Sequence, residues 1–111
     1  MGSEKRLAML EKMTSEGNQD SFTWYALALE YRGLNRTDEA LETFKKLREL
    51  DPTYVPMYLI CGTMLVDAQR PNEGREWIES GLLKARERGE SHALSELQDA
   101  LASIPPPQSI P

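Results

Sequence analysis

One cysteine and one histidine in 111 residues leave little material for disulfides or metal sites. A single cysteine closes no internal disulfide, and a lone histidine without cysteine partners lacks the spacing of a zinc site. Basic residues are the minority, with 13 Lys and Arg against 18 Asp and Glu and a formal charge of −5. Nucleic acid and anionic membranes both call for a basic face, so neither is expected as the main partner. No uninterrupted apolar run approaches the ~18 residues that cross a bilayer, and the start has no apolar stretch of signal-peptide length. The expected setting is a reducing, cytoplasmic one, without membrane insertion. Strand signals are missing too: no β-branched residues alternate with polar ones, and no Asn-Gly or Asp-Gly hairpin turn occurs.

Catalytic constellations are equally scarce. There is no Walker-type loop, dinucleotide fingerprint or CxxC pair. His92 and Asp99 lie seven apart, but no serine sits in a strained turn or glycine-rich elbow to complete a triad. Cys61 has no basic neighbour to depress its pKa and reads as a small core hydrophobe. Glu39, Glu42, Glu76 and Glu79, set beside Lys46 and Arg75, read as solvated helix faces. The expectation is no catalytic residue, no metal ligand and no cofactor, hence not an enzyme.

What is present is helical rhythm. Hydrophobic residues at 40% and charged residues at 28% suit a folded domain. Apolar residues recur at three- and four-residue spacing from Glu4 to about Ser103. Leu7, Leu10 and Met13 form a first stripe closed by Gly17-Asn18. Asp20-Ser21 supplies capping oxygens for a second helix, which Gly33 and Asn35 break. Thr37 is expected to cap a third helix that Asp51-Pro52 ends. A fourth runs to about Ala68, Pro71 opens a fifth, and Ser91 is expected to cap a sixth after Gly89. Four prolines among the last eight residues, 104–111, predict an extended, disordered tail.

A repeat test separates a bundle from a solenoid. With position one at Ser21, Trp24 falls at four, Leu27 and Ala28 at seven and eight, and Tyr31 at eleven. Ala40 then falls at twenty, Phe44 at twenty-four and Pro52 at thirty-two. At each of those positions the stretch resembles the tetratricopeptide repeat. Adding 34 lands on Tyr58, Cys61, Gly62, Leu65, Gly74 and Ile78, a weaker second copy in which Arg86 replaces the closing proline. Direct identities between the copies are few: Arg36/Arg70, Glu39/Glu73 and Glu42/Glu76. In a slipped register Leu94, Leu97, Gln98 and Leu101 take positions four, seven, eight and eleven of a last first-type helix.

The resemblance implies an all-α fold, a right-handed α-solenoid of about six helices in antiparallel pairs. One domain over 1–103 is expected, with full repeats at about 21–54 and 55–88 and lone helices at about 4–16 and 91–103. Small residues at positions eight and twenty, Ala28/Gly62 and Ala40/Gly74, would let paired helices approach closely. The family generally serves as a protein-interaction scaffold through the concave face of its first helices. Carried onto this chain, that face would hold Phe22, Tyr25, Leu29 and Arg32 in one repeat and Pro56, Leu59, Thr63 and Val66 in the next. The sixth helix would add His92, Ser95, Asp99 and Ala102. Relatives that hold chaperone C-terminal carboxylates use Lys and Asn there, whereas the clamp positions here carry Tyr25, Leu29 and Ile60, so that activity is not expected. An apolar groove remains. It suits a partner's amphipathic helix or apolar segment, with self-association into a homo-oligomer, or a cytosolic chaperone for an export substrate, as alternatives.

Overall fold

The computed structural model describes residues 3–105. Among the described residues there are six α-helices and no strand: α1 Glu4–Ser15, α2 Ser21–Gly33, α3 Thr37–Leu50, α4 Pro56–Asp67, α5 Pro71–Glu87 and α6 Ser91–Ala102. All-α helical-repeat architecture, as the periodicity predicts, is what forms. The chain divides into two compact units between Met57 and Tyr58, near the start of α4.

Four helices close in the same way. Gly17, Asn35, Gln69 and Gly89 all take positive φ, between 60° and 94°. Around each, the next amide reaches back five residues: Asn18 N to Met13 O, Arg36 N to Tyr31 O, Arg70 N to Leu65 O and Glu90 N to Ala85 O. These are Schellman closures, which satisfy carbonyls a helix end would otherwise leave open. Glycine adopts this backbone without a Cβ clash and asparagine tolerates it; Gln69 holds it without either advantage.

The helix starts differ from expectation at two points. Asp20 caps α2 as predicted, its carboxylate accepting from Thr23 N at 3.2 Å. Thr37 and Ser91, however, lie inside their helices, and the cap positions are Arg36 and Glu90, neither making a side-chain cap bond. At α3 a salt fork stands where a hydroxyl was expected. Arg36 Nε and Nη2 meet Glu39 at 2.6 and 2.7 Å, and Arg70 repeats this on Glu73 at 2.9 and 2.8 Å before α5. Bidentate pairing of guanidinium with carboxylate fixes geometry more firmly than a point contact. Two of the three inter-repeat identities are thereby explained. The expected partners of the neighbouring acids also change: Glu42 pairs with Lys45 rather than Lys46, and Glu76 accepts from Ser80.

In the first unit α1 and α3 both pack on α2. Leu7 and Leu10 bury against it, joined by two polar ties. Glu30, only 6% exposed, accepts from the Ser3 amide at 2.8 Å and from Arg6 Nη1 at 3.2 Å. Tyr31 donates its hydroxyl to Glu11 at 2.5 Å. Ala28, Ala40, Phe44 and Leu47 are fully buried between α2 and α3.

The second unit shows the close approach that the small residues foretold. A Cβ on Gly74 would stand 2.6 Å from the Gly62 carbonyl oxygen, and one on Gly62 would overlap Ile78. A third tight glycine, Gly81, was not anticipated; its Cβ would meet Tyr58 Cβ at 2.5 Å. Cys61 is fully buried, in keeping with a core role. In α6, Leu97 is buried but Gln98 is exposed. The packed chain also runs past residue 103. Ile104 is buried and Arg75 Nη2 donates to the Pro105 carbonyl, so the body extends into the expected tail. Residues 106–111 lie outside the described part.

Candidate interaction surface

Phe22, Tyr25, Leu29 and Arg32 occur at spacings of three, four and three, so they follow one stripe of α2. Their exposures differ more than the register implied. Phe22 is 66% exposed and Arg32 is exposed, whereas Tyr25 and Leu29 are half-buried. Two rings hold Tyr25. Tyr54 stands 5.2 Å away at 55° and Phe44 6.5 Å away at 62°, both within the range of favourable tilted aromatic contacts. Burial, then the neighbouring Tyr54, pushes the Tyr25 hydroxyl above its ordinary pKa, while the charge of Arg32 pulls the other way. Tyr54 is raised by burial and by the charges of Asp20 and Asp51. Both phenols are therefore neutral at physiological pH and titrate only in strong alkali. Tyr54 carried no functional signal in the sequence. Its place follows from Asp51, which accepts from Ser21 Oγ at 2.8 Å and Thr53 Oγ1 at 2.8 Å and so re-aims the chain after α3.

On α4 the corresponding residues are less open than expected. Leu59, Thr63 and Val66 are half-buried, and only Pro56 is exposed. The Thr63 hydroxyl bonds to the carbonyls of Leu59 at 2.9 Å and Ile60 at 3.2 Å. With its polar group spent on its own helix, Thr63 adds to an apolar stripe. Val66 is partly a packing residue, since its Cγ2 would lie 2.7 Å from a Cβ on Gly74. On α6, His92, Ser95, Asp99 and Ala102 are all exposed, and His92 stands 3.6 Å from Glu96 rather than beside Asp99.

Among the described residues no helix is long and apolar enough to cross a membrane, and no group of three or more His, Cys, Asp or Glu is placed to hold a metal ion. The chemistry these stripes offer is aromatic and aliphatic contact with one cation at the rim.

A family model of the tetratricopeptide repeat matches residues 21–54. No curated protein matches the chain. Among solved structures, the crystal structure of a tetratricopeptide repeat domain protein from Salinibacter ruber is 38% identical, with TM-score 0.69, over 75% of this chain and 93% of that one. A solution NMR structure described in the same terms and from the same organism gives 38% and 0.71, over 75% and 84%. A Bordetella parapertussis protein is 27% identical with TM-score 0.75 over 92% of this chain and 87% of its own. The matched register coincides with the run from Ser21 to Tyr54 that carries the signature residues, and the small-residue contacts and paired Arg–Glu forks repeat it 34 residues on. This chain belongs to the tetratricopeptide repeat family.

Proposed function

We propose that the α2 stripe of Phe22, Tyr25, Leu29 and Arg32 binds an apolar segment or amphipathic helix of a partner protein, and that the α4 stripe of Leu59, Thr63 and Val66 is, taken by itself, another apolar contact surface. Tetratricopeptide repeats are as a class protein-interaction scaffolds and typically non-catalytic. The observation that supports this particular face is Phe22. A phenylalanine two-thirds exposed at the first turn of a helix keeps costly apolar surface in water, beside a tyrosine already braced by two rings. Braced aromatics lose little freedom on binding and make effective anchors. Arg32 at the other end of the stripe would set the direction of a partner carrying an acid there.

Exposure decides which variants test the reading. Tyr25→Glu or Leu59→Glu would put charge into half-buried packing and confound binding with stability. Phe22→Glu and Arg32→Glu touch exposed side chains, where substitutions normally change stability by less than about 0.5 kcal/mol. A partner captured by the wild-type chain should be lost by Phe22→Glu and weakened by Arg32→Glu, at unchanged helicity and melting temperature. Capture unaffected by both would place the binding surface elsewhere.

A further inference from the structure

The α2 stripe carries opposite charge at its two ends. Ser21 stands one turn before Tyr25 on the same side of the helix. Its hydroxyl donates to Asp51 at 2.8 Å, which fixes that carboxylate beside the start of the stripe. Asp20, the α2 cap, adds a second carboxylate there. It accepts from Thr23 N at 3.2 Å and Thr23 Oγ1 at 3.1 Å and has no ion-pair partner among the described residues. Arg32 marks the other end, exposed in the last turn and likewise without an ion-pair partner among the described residues. Ser21 and Arg32 are about 16 Å apart along the axis, with Phe22, Tyr25 and Leu29 between them. The charges of Asp20 and Asp51 reach the Tyr54 hydroxyl and that of Arg32 reaches Tyr25, so the polarity extends across the apolar part.

We infer, taking the α2 stripe as the binding face proposed above, that its occupant is an amphipathic partner helix of about three turns running antiparallel to α2, with acids in its first turn beside Arg32 and bases in its last turn beside Asp20 and Asp51. Side chains three and four apart form ridges that fit the grooves of another helix, which favours a helix over an extended segment. Direction follows from charge. The macrodipole favours acids at the start of a helix and bases at its end. Such a helix meets opposite charge at both ends of α2 when antiparallel, and like charge at both ends when parallel. The helices already packed on α2 set the precedent. Both α1 and α3 run back along it through short connections. α1 has Glu4 in its first turn and Lys12 in its last, and α3 has Asp38 and Glu39 first and Arg48 last. The partner helix repeats that arrangement on the side that carries Phe22. Exposed ion pairs are worth up to about fivefold each in affinity, so the charges select direction while Phe22 and Tyr25 supply most of the contact.

The probe is a synthetic peptide of about sixteen residues, capped at both ends, with Glu in its first turn, Leu along one face and Lys in its last turn. A covalent i,i+4 side-chain link keeps it helical, so that binding does not report folding. Fluorescence anisotropy against the full chain should show binding that Phe22→Glu abolishes and Arg32→Glu weakens about fivefold or more, at unchanged melting curves. A nitroxide on the first turn of the peptide should broaden the amide NMR signals of Arg32 and Gly33, and one on the last turn those of Ser21 and Phe22. Binding indifferent to Phe22→Glu would reject the α2 stripe itself. Binding that needs Phe22 but ignores Arg32, or broadening in the opposite order, would overturn the antiparallel helix and leave the stripe standing. Equal affinity for an unlinked peptide with a central proline would also overturn it, in favour of an extended segment. No binding up to about 1 mM would overturn it too, and self-association of the chain that Phe22→Glu abolishes would give the face to a second copy.

Discussion

Gly74→Ala sets two effects of similar size against each other, and the structure says which should win. Inside a helix alanine is favoured over glycine by about 0.8–1 kcal/mol, so propensity alone predicts a more stable protein. The added Cβ, however, would sit 2.6 Å from the Gly62 carbonyl oxygen, 2.7 Å from Val66 Cγ2 and 3.2 Å from Val66 N. Ordinary contact starts at 3.4 Å, so α4 and α5 must separate by about 0.8 Å. Two of the three obstacles are backbone atoms, which cannot change rotamer. Overfilling a packed contact costs about 1–3 kcal/mol, leaving a net loss of up to about 2 kcal/mol. Gly62→Ala should be milder, because its main obstacle is the Ile78 side chain, while Gly62→Leu exceeds what Ile78 can yield and should cost about 1–3 kcal/mol or more. Urea titration followed by circular dichroism reads all three as midpoints at constant slope. A Gly74→Ala midpoint at or above wild type would mean that propensity prevails and that the helices do not meet this closely.

Three further expectations follow from particular contacts. Burial, the hydrogen bond to Glu11, and the charges of Glu11 and Glu39 push the Tyr31 hydroxyl up to about 12 from 10.0, with Arg36 opposing. The unfolded chain loses that proton first, so the stabilisation is intact below pH 10 and lost as pH rises towards 12. Tyr31→Phe should remove on the order of 1 kcal/mol of the loss seen between pH 9 and pH 11 in urea titrations, and an identical loss in both proteins would reject the assignment. Gln69→Gly should raise the melting temperature, by about 0.5–1 kcal/mol equivalent, because Gln69 sits at φ 65° where glycine carries no Cβ penalty; no gain would show that the Gln69 side chain contributes something glycine cannot. Ile104→Ala should cost about 2 kcal/mol in thermal or urea unfolding, the low end for a buried isoleucine, and a neutral result would return Ile104 to the tail.

Helix number and most boundaries were legible because turn residues sit where chain geometry needs them: Gly17, Asn35 and Gly89 at left-handed closures, Pro71 at a first helical position, Asp51-Pro52 at a stop. The small residues at positions eight and twenty were legible because a helix crossing excludes bulk whatever surrounds it. Capping at Thr37 and Ser91 was misread because a hydroxyl near a helix start is only a local signal, and it does not reveal an Arg–Glu fork one turn wide. Gly81 was invisible for a different reason: its equivalent is Leu47, and only packing shows Tyr58 pressed against it. On the α2 stripe, spacing located the residues but not their exposure. Tyr25 looks as free as Phe22 until Tyr54 is placed beside it.

Glu30 bears on how far these repeats can be treated as interchangeable parts. It occupies position ten of the first repeat, and the second repeat carries Met64 there, also buried. A methionine at that place asks nothing specific of its neighbour beyond a dry surface, but a carboxylate asks for donors. Those donors, the Ser3 amide and Arg6, come from outside the 34-residue unit. Grafting residues 21–54 into another array, or swapping the two repeats, would carry the acid away from the groups that satisfy it. The portable module is thus longer than the sequence period, starting at Ser3 rather than Ser21. An array designer working from the 34-residue phase alone would cut through it.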